Sequence, residues 1–265
     1  MDAPFDGFWQ VLFDDPDEDV VEFGETTIAV RESGCWIYAG GQYMELWADK
    51  HNEPITAWPP NEATASHLFR THRAIAGRAT WHQDGEAFVV EHHPEMSVEP
   101  ALDGHPYRMR LRVEGDTAIA SPLDDKLRAP ARWRRLSGRG SSPLAGAWWS
   151  EDADGQRWLY TVTAGHYGVM RSDRGEAAPP PGRPATVEEA AKLFTSRSMN
   201  AGSLLLAART FDHWPMFAST GGYGAAKHPT FYLQELNADN FVMTFDSRDE
   251  NATRWFRRGQ GRPAT

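Results

Sequence analysis

Gly7-Phe8-Trp9 near the start and Arg132-Trp133-Arg134-Arg135 at mid-chain return as Gly146-Ala147-Trp148 and Arg254-Trp255-Phe256-Arg257-Arg258. Between these bookends the landmarks recur in order. A Gly-x-Tyr (Gly41, Tyr43; Gly165, Tyr167) precedes an alanine-rich amphipathic stretch, a pivot glycine (Gly77; Gly202) and a histidine-containing segment ending in glycine (His93 to Gly104; His213 to Gly224). A repeat this long is a whole small domain, not one unit of a solenoid. The chain therefore reads as two copies of one fold, 1–137 and 144–260, joined by a Gly/Ser-rich linker, 138–143.

Within each copy most segments alternate apolar and polar residues, the pattern of strands with one buried face. Tyr43, Glu45, Trp47 and Asp49 share one face of such a strand and Met44 and Leu46 the other. Asp84-Gly85 and Gly115-Asp116 are hairpin-turn candidates. The exceptions are Asn61 to Ile75, with helical spacing and Asn61 as a cap, and its counterpart Thr186 to Met199, which opens on a helix-start sequence. Many short strands and one short helix per copy predict an all-β chain of closed barrels or sandwiches.

The net charge of −10 argues against a nucleic-acid partner, which requires a basic surface. The acidic run at 14–19 reads as a solvated loop. No apolar run reaches the roughly 18 residues of a membrane span. The lone Cys35 cannot form an internal disulfide and points to a reducing compartment, so a cytoplasmic location is expected. Eleven tryptophans, seven tyrosines and eight methionines would suit either a wide apolar cavity or a plain aromatic core.

The GxW on the first strand, the alternating strands and the arginine beside a tryptophan on the last strand resemble the lipocalin/calycin superfamily. The middle of the first copy is similar to the bacterial and fungal lipocalin-like domain family, through Gly77, Val89-Val90-Glu91-His92-His93, Ser97, Pro100, Gly104 and Trp133-Arg134-Arg135. The resemblance covers most of 5–137 and implies two tandem antiparallel barrels, each with one helix. It also implies that Trp9 packs on one of Arg132, Arg134 or Arg135, and Trp148 on one of Arg254, Arg257 or Arg258. Counting back from Gly224 sets Asp212 where His92 stands, so the second copy departs from the first in its middle.

Strand alternation sends one of His92 and His93 inward. An inward imidazole with Glu45 could move a proton on a ligand, or could simply be a buried, hydrogen-bonded side chain. His92, His93 and Glu45 are the catalytic candidates. Tyr43, Trp47, Trp81, Arg110, His213 and Trp214 are the substrate-contact candidates. No ligand spacing for a metal and no dinucleotide or P-loop motif is present, so neither metal nor cofactor is expected. The expected function is a cofactor-independent isomerase, lyase, hydratase or cyclase that confines a small apolar metabolite and transfers a proton. The alternative is a non-catalytic intracellular carrier of a small hydrophobic ligand, and a homodimer is compatible with either.

Overall fold

The computed structural model describes residues 3–12, 21–23, 26–28, 32–49, 60–98, 103–124, 131–138, 140–173, 185–218, 229–244 and 252–257. The acidic run at 14–19, the proline-rich stretch 177–184 and the glycines of 221–224 lie outside the described residues.

The first copy contains β1 (Gly7–Leu12), β2 (Val21–Phe23), β3 (Thr26–Ile28), β4 (Glu32–Ala39), β5 (Gln42–Asp49), α1 (Glu62–Thr71), β6 (His72–Asp84), β7 (Ala87–Ser97), β8 (Tyr107–Glu114), β9 (Thr117–Pro122) and β10 (Ala131–Gly138). The second contains β11 (Gly146–Glu151), β12 (Arg157–Val162), β13 (His166–Ser172), α2 (Val187–Ser196), β14 (Arg197–Leu206), β15 (Thr210–Ala218), β16 (Thr230–Leu236), β17 (Asn240–Thr244) and β18 (Thr253–Arg257). Each copy closes into an eight-stranded antiparallel barrel, in the order β1-β10-β9-β8-β7-β6-β5-β4 and β11 through β18. The β2–β3 hairpin stands apart from both barrels.

Closure follows from the alternation. Along β8, Met109 and Leu111 are buried while Arg108, Arg110 and Arg112 are exposed. The inward residues of all eight strands thus meet around one axis. At the end of the first barrel where the β4–β5, β6–β7 and β8–β9 turns are short, the Trp9 indole donates to Phe5 O (2.8 Å) and Arg135 lies 4.3 Å over its ring. In the second barrel Trp148 donates to Leu144 O (2.7 Å) beneath Arg257 at 4.1 Å. The two bookends therefore have one structural job, a cation seated on a buried indole. The arginines that do it are Arg135 and Arg257, each also bonded to backbone carbonyls of the segment leading into the barrel.

Both helices start where their caps predict. Asn61 accepts from Thr64 N, and Thr186 with Glu189 forms a reciprocal capping box. Both end earlier than the spacing predicts. His72 is already extended and pairs with Ala48, and Arg197 pairs with Ser172, so Ile75 and Met199 belong to strands. Ile75 fits a helical stripe only because it points into the barrel from β6.

The barrels meet through corresponding faces. α1 packs on α2 and β4 on β12, around a core that includes Ile37, Met44, Leu68, Leu159, Met170, Phe194 and Met199. Cys35 is a fully buried member of that core, and burial raises its thiol pKa far above the ordinary value. The close approach depends on Gly168. A Cβ there would collide with Ile37 Cδ1 and lie 3.0 Å from Met44 Sδ. By strand register Gly168 is the counterpart of Met44 itself, so the interface sets a knob on one barrel against a hole on the other. No helix among the described residues is long and apolar enough to cross a membrane.

Candidate active site in the first barrel

β5 and β7 bring the polar residues of the first barrel together. Tyr43, Glu45 and Trp47 alternate inward along β5, and His92 projects inward from β7. Glu45 is 1% exposed and is held at both oxygens. Trp47 Nε1 donates to Oε1 (2.7 Å), and the Tyr107 hydroxyl donates to Oε2 (2.7 Å). A carboxylate so far from water needs such donors, because an unpaired buried charge costs several kcal/mol. His92 is completely buried, with Nε2 2.7 Å from the Tyr38 hydroxyl. Its ring stacks on Tyr107 at 4.6 Å and meets the edge of Tyr43 at 4.5 Å. Burial pushes the His92 pKa down to about 4, outweighing the upward pull of Glu45, so the imidazole is neutral at neutral pH. Burial also raises the hydroxyl pKa values of Tyr38, Tyr43 and Tyr107 well above the ordinary phenol value, so all three act as O–H groups.

The cluster lies toward the end of the barrel where β5 leads to α1, β7 to β8 and β9 to β10. At that end Trp47 pairs across strands with Arg73, and Arg73 shares the inner face of β6 with Ile75. The guanidinium Nε of Arg73 is buried with no partner among the described residues. Deeper in, Trp36 and Trp133 stack at 4.1 Å. Beside them Phe5, Trp9, Tyr38, Leu111 and Ala118 complete the lining of a cavity of about 10 Å³. That is room for roughly one water molecule. Of the two readings of the aromatic excess, a wide apolar cavity or a plain aromatic core, the barrel centre shows the second. An eight-stranded barrel is just wide enough for its own side chains, and here indoles and phenols supply them.

The remaining candidates are dispersed. His93 points outward, 3.4 Å from Glu91, and does not join His92. Arg110 is on the outer face and pairs with Asp84 at 3.0 Å, so it does not reach the interior. Trp81 packs inside the barrel against Phe5 and Phe88, near the short-turn end. Trp214 lies on the outside of the second barrel, 45% exposed. His213 is buried in that barrel, 2.8 Å from the Tyr160 hydroxyl and stacked on Tyr167 at 3.7 Å, with burial lowering its pKa to about 3.

Strand register also corrects the alignment of the two copies. Gly77 faces Pro94 across a bulge, and Gly202 faces Pro215 across the corresponding bulge. His213, not Asp212, therefore corresponds to His92. The tyrosines that bond these histidines do not correspond. Tyr38 lies opposite Gly7, where the second barrel has Val162 opposite Gly146, while Tyr160 lies opposite Trp148, where the first has Trp36 opposite Trp9. Each barrel gives Nε2 of its buried imidazole a tyrosine hydroxyl from the neighbouring position along the inner wall. Residue matching misses Tyr38 and Tyr107. The shared Trp-x-Tyr (Trp36, Tyr38; Trp158, Tyr160) signals the first, although the register offsets the pair by two residues.

The Glu45 cluster belongs to the first barrel alone. Val169 replaces Glu45, Arg171 replaces Trp47 and Ser198 replaces Arg73. Where Tyr107 stands beside His92, the second barrel presents the carbonyl of Pro229, which accepts from His213 N at 3.1 Å. No group of histidine, cysteine, aspartate and glutamate side chains among the described residues is placed to hold a metal ion.

No protein-family model matches the chain, and no curated protein matches its sequence. Among solved structures it is similar to the crystal structure of an uncharacterized protein from Saccharomyces cerevisiae. The TM-score is 0.50 and the identity 8%, over 94% of this chain and 96% of that one. At that identity the likeness extends to the fold, and it runs through both barrels.

Proposed function

We propose that the chain is a tandem lipocalin-like protein whose first barrel is a cofactor-independent enzyme of the isomerase, lyase, hydratase or cyclase type. Its substrate is a small, largely apolar metabolite held at the end of the barrel where β5 leads to α1. The observation that carries this reading is Glu45, a carboxylate 1% exposed, oriented by Trp47 and Tyr107 and present in one barrel only. A carboxylate held among aromatic groups is suited to take a proton from one atom of a confined substrate and return it to another. Trp47 supplies an apolar wall beside it. Arg73 offers a donor for a substrate oxygen that gains charge as the proton leaves. His92 is neutral and bonded to Tyr38, so it holds the aromatic wall in place beside Glu45 and supplies no imidazolium near neutral pH.

Native mass spectrometry of wild type and Glu45→Gln, each purified from the source organism, tests the proposal. The glutamine variant should retain a small molecule in its unreacted form, while wild type carries the rearranged, hydrated or dehydrated form. The same species from both proteins, or none from either, contradicts proton transfer at Glu45. A second reading, a non-catalytic carrier, is favoured by the repetition of the tyrosine–histidine pair in both barrels. It predicts the same unaltered ligand from both proteins.

A further inference from the structure

One charged side chain of the second barrel reaches the edge of the first barrel's site. Arg197, the first residue of β14, is 7% exposed. Its Nη1 donates to Ser97 O at 2.6 Å and to Asp103 Oδ2 at 2.9 Å. Both acceptors belong to the segment that joins β7 to β8. Ser97 ends β7 and is completely buried; Asp103 precedes Gly104, whose N–H returns to Pro94 O at 2.9 Å. Three residues further on, Tyr107 opens β8 and donates to Glu45. The register places Ser97 opposite Ile75, and Ile75 opposite Glu45. Arg197 therefore grips β7 level with the carboxylate, two strands away, and also grips the chain that delivers its hydroxyl donor.

The contact runs one way. The counterpart of Arg197 in the first barrel is His72, since Ser172 pairs with Arg197 as Ala48 pairs with His72. The His72 Nδ1 lies 3.2 Å from Leu68 O of its own helix, and its ring meets Phe194 edge-on at 5.9 Å. Pairing of two like faces would have produced two equivalent contacts. A buried arginine is costly unless its charge is met, and here a carboxylate and a carbonyl meet it in fixed geometry.

We propose that Arg197 is a positioning residue through which the second barrel sets the environment of Glu45, by fixing Asp103 and with it the stretch 103–107 that ends in Tyr107. The proposal rests on Glu45 being the reactive group. It assigns the second barrel the role of a built-in strut for the first. Removal of the strut frees residues 103–107 and lets Tyr107 withdraw from Glu45.

The Trp47 indole N–H, bonded to Glu45 Oε1, reports this directly in the ¹H–¹⁵N spectrum of the full chain. Tyr107→Phe removes one donor from Glu45 and should move the Trp47 indole resonance. Arg197→Gln should move it in the same direction, and Arg197→Lys should restore part of the wild-type position. Asp103→Asn, a milder change that keeps the bond to Ser97 O, should give an intermediate shift if Arg197→Gln does not fold. Arg70→Ala serves as the control. Arg70 also crosses between the barrels, bonding Ala185 O at 3.2 Å, and does not bond residues 103–107. It should lower the melting temperature and leave the Trp47 resonance in place. Arg197 and Asp103 variants that lower the melting temperature without moving the Trp47 resonance overturn the proposal and reduce the contact to interface packing. If the resonance moves as expected while Glu45→Gln leaves ligand chemistry unchanged, the strut stands and the enzymatic reading falls.

Discussion

The two barrels agree where the fold needs them to and differ where chemistry would be. Both seat an arginine on a buried indole at the short-turn end, and both bury a neutral histidine bonded to a tyrosine. That the tyrosines come from non-corresponding positions shows what is repeated: a buried imidazole bonded at Nε2 by a tyrosine, not a particular pair. The Glu45–Trp47–Tyr107 cluster has no counterpart, since Val169, Arg171 and Pro229 occupy those places. An internal repeat thus supplies its own control. Features present in both copies are read first as structure, and those present in one are the candidates for function.

The largest effects should come from breaking what is shared. Trp9→Ala and Trp148→Ala each remove a fully packed indole, its hydrogen bond and its arginine contact, and each should cost about 3–5 kcal/mol in chemical denaturation. Near-equal losses would support the equivalence of the two ends; a negligible loss for one would break it. Filling the hole that distinguishes the interface comes next. Gly168→Met places in the second barrel the residue its counterpart Met44 has in the first, against Ile37 and Met44. A loss of about 3 kcal/mol or more is expected, with early exposure of the Cys35 thiol to alkylating reagents.

Acid should act on both barrels, and harder on the second. The ordinary histidine pKa is about 6.5, and burial lowers it to about 4 for His92 and about 3 for His213. The unfolded chain therefore binds more protons than the folded one below about pH 6.5. The stability carried by the neutral imidazoles is complete above that pH and is lost as pH falls through the folded values. The loss is on the order of 3 kcal/mol for His92 and somewhat more for His213. Urea titrations between pH 7 and pH 4 on His92→Phe and His213→Phe should show a shallower acid slope than wild type. An unchanged slope would place the acid sensitivity elsewhere. The smallest effect should come from the outer faces. The Arg78–Glu95 pair at 2.9 Å stands where the second barrel has Ser203 and Met216, and Arg78 is largely exposed. Arg78→Ser should change stability by no more than about 0.5 kcal/mol, and still less in high salt.

The barrels, the helix starts and the indole–arginine bookends were legible because they rest on local signals: period-two alternation, caps, and a motif stated twice. The helix ends were not, because β5 and β13 claim His72 and Arg197 by pairing. Nor was the correspondence of His92 with His213, because the loops counted through differ in length while the bulges at Gly77 and Gly202 fix the register. Glu45 and His92 were legible as candidates from alternation alone, and the outward turn of His93 follows from the same rule. Tyr107, Tyr38 and Arg197 escaped it because their partners lie 62, 54 and 94 or more residues away in sequence. Arg110 and Trp214 were drawn in by residue type, and the structure turns both outward.

The central proposal is that proton-transfer chemistry belongs to the first barrel and to Glu45. The most direct test incubates wild type and Glu45→Gln separately with a small-molecule extract of the source organism and follows every species by liquid chromatography–mass spectrometry. The account predicts that at least one species is isomerised, or gains or loses water, with wild type, and that its conversion falls tenfold or more with Glu45→Gln at unchanged melting temperature. Identical extracts after both incubations, or equal conversion by both proteins, would contradict it.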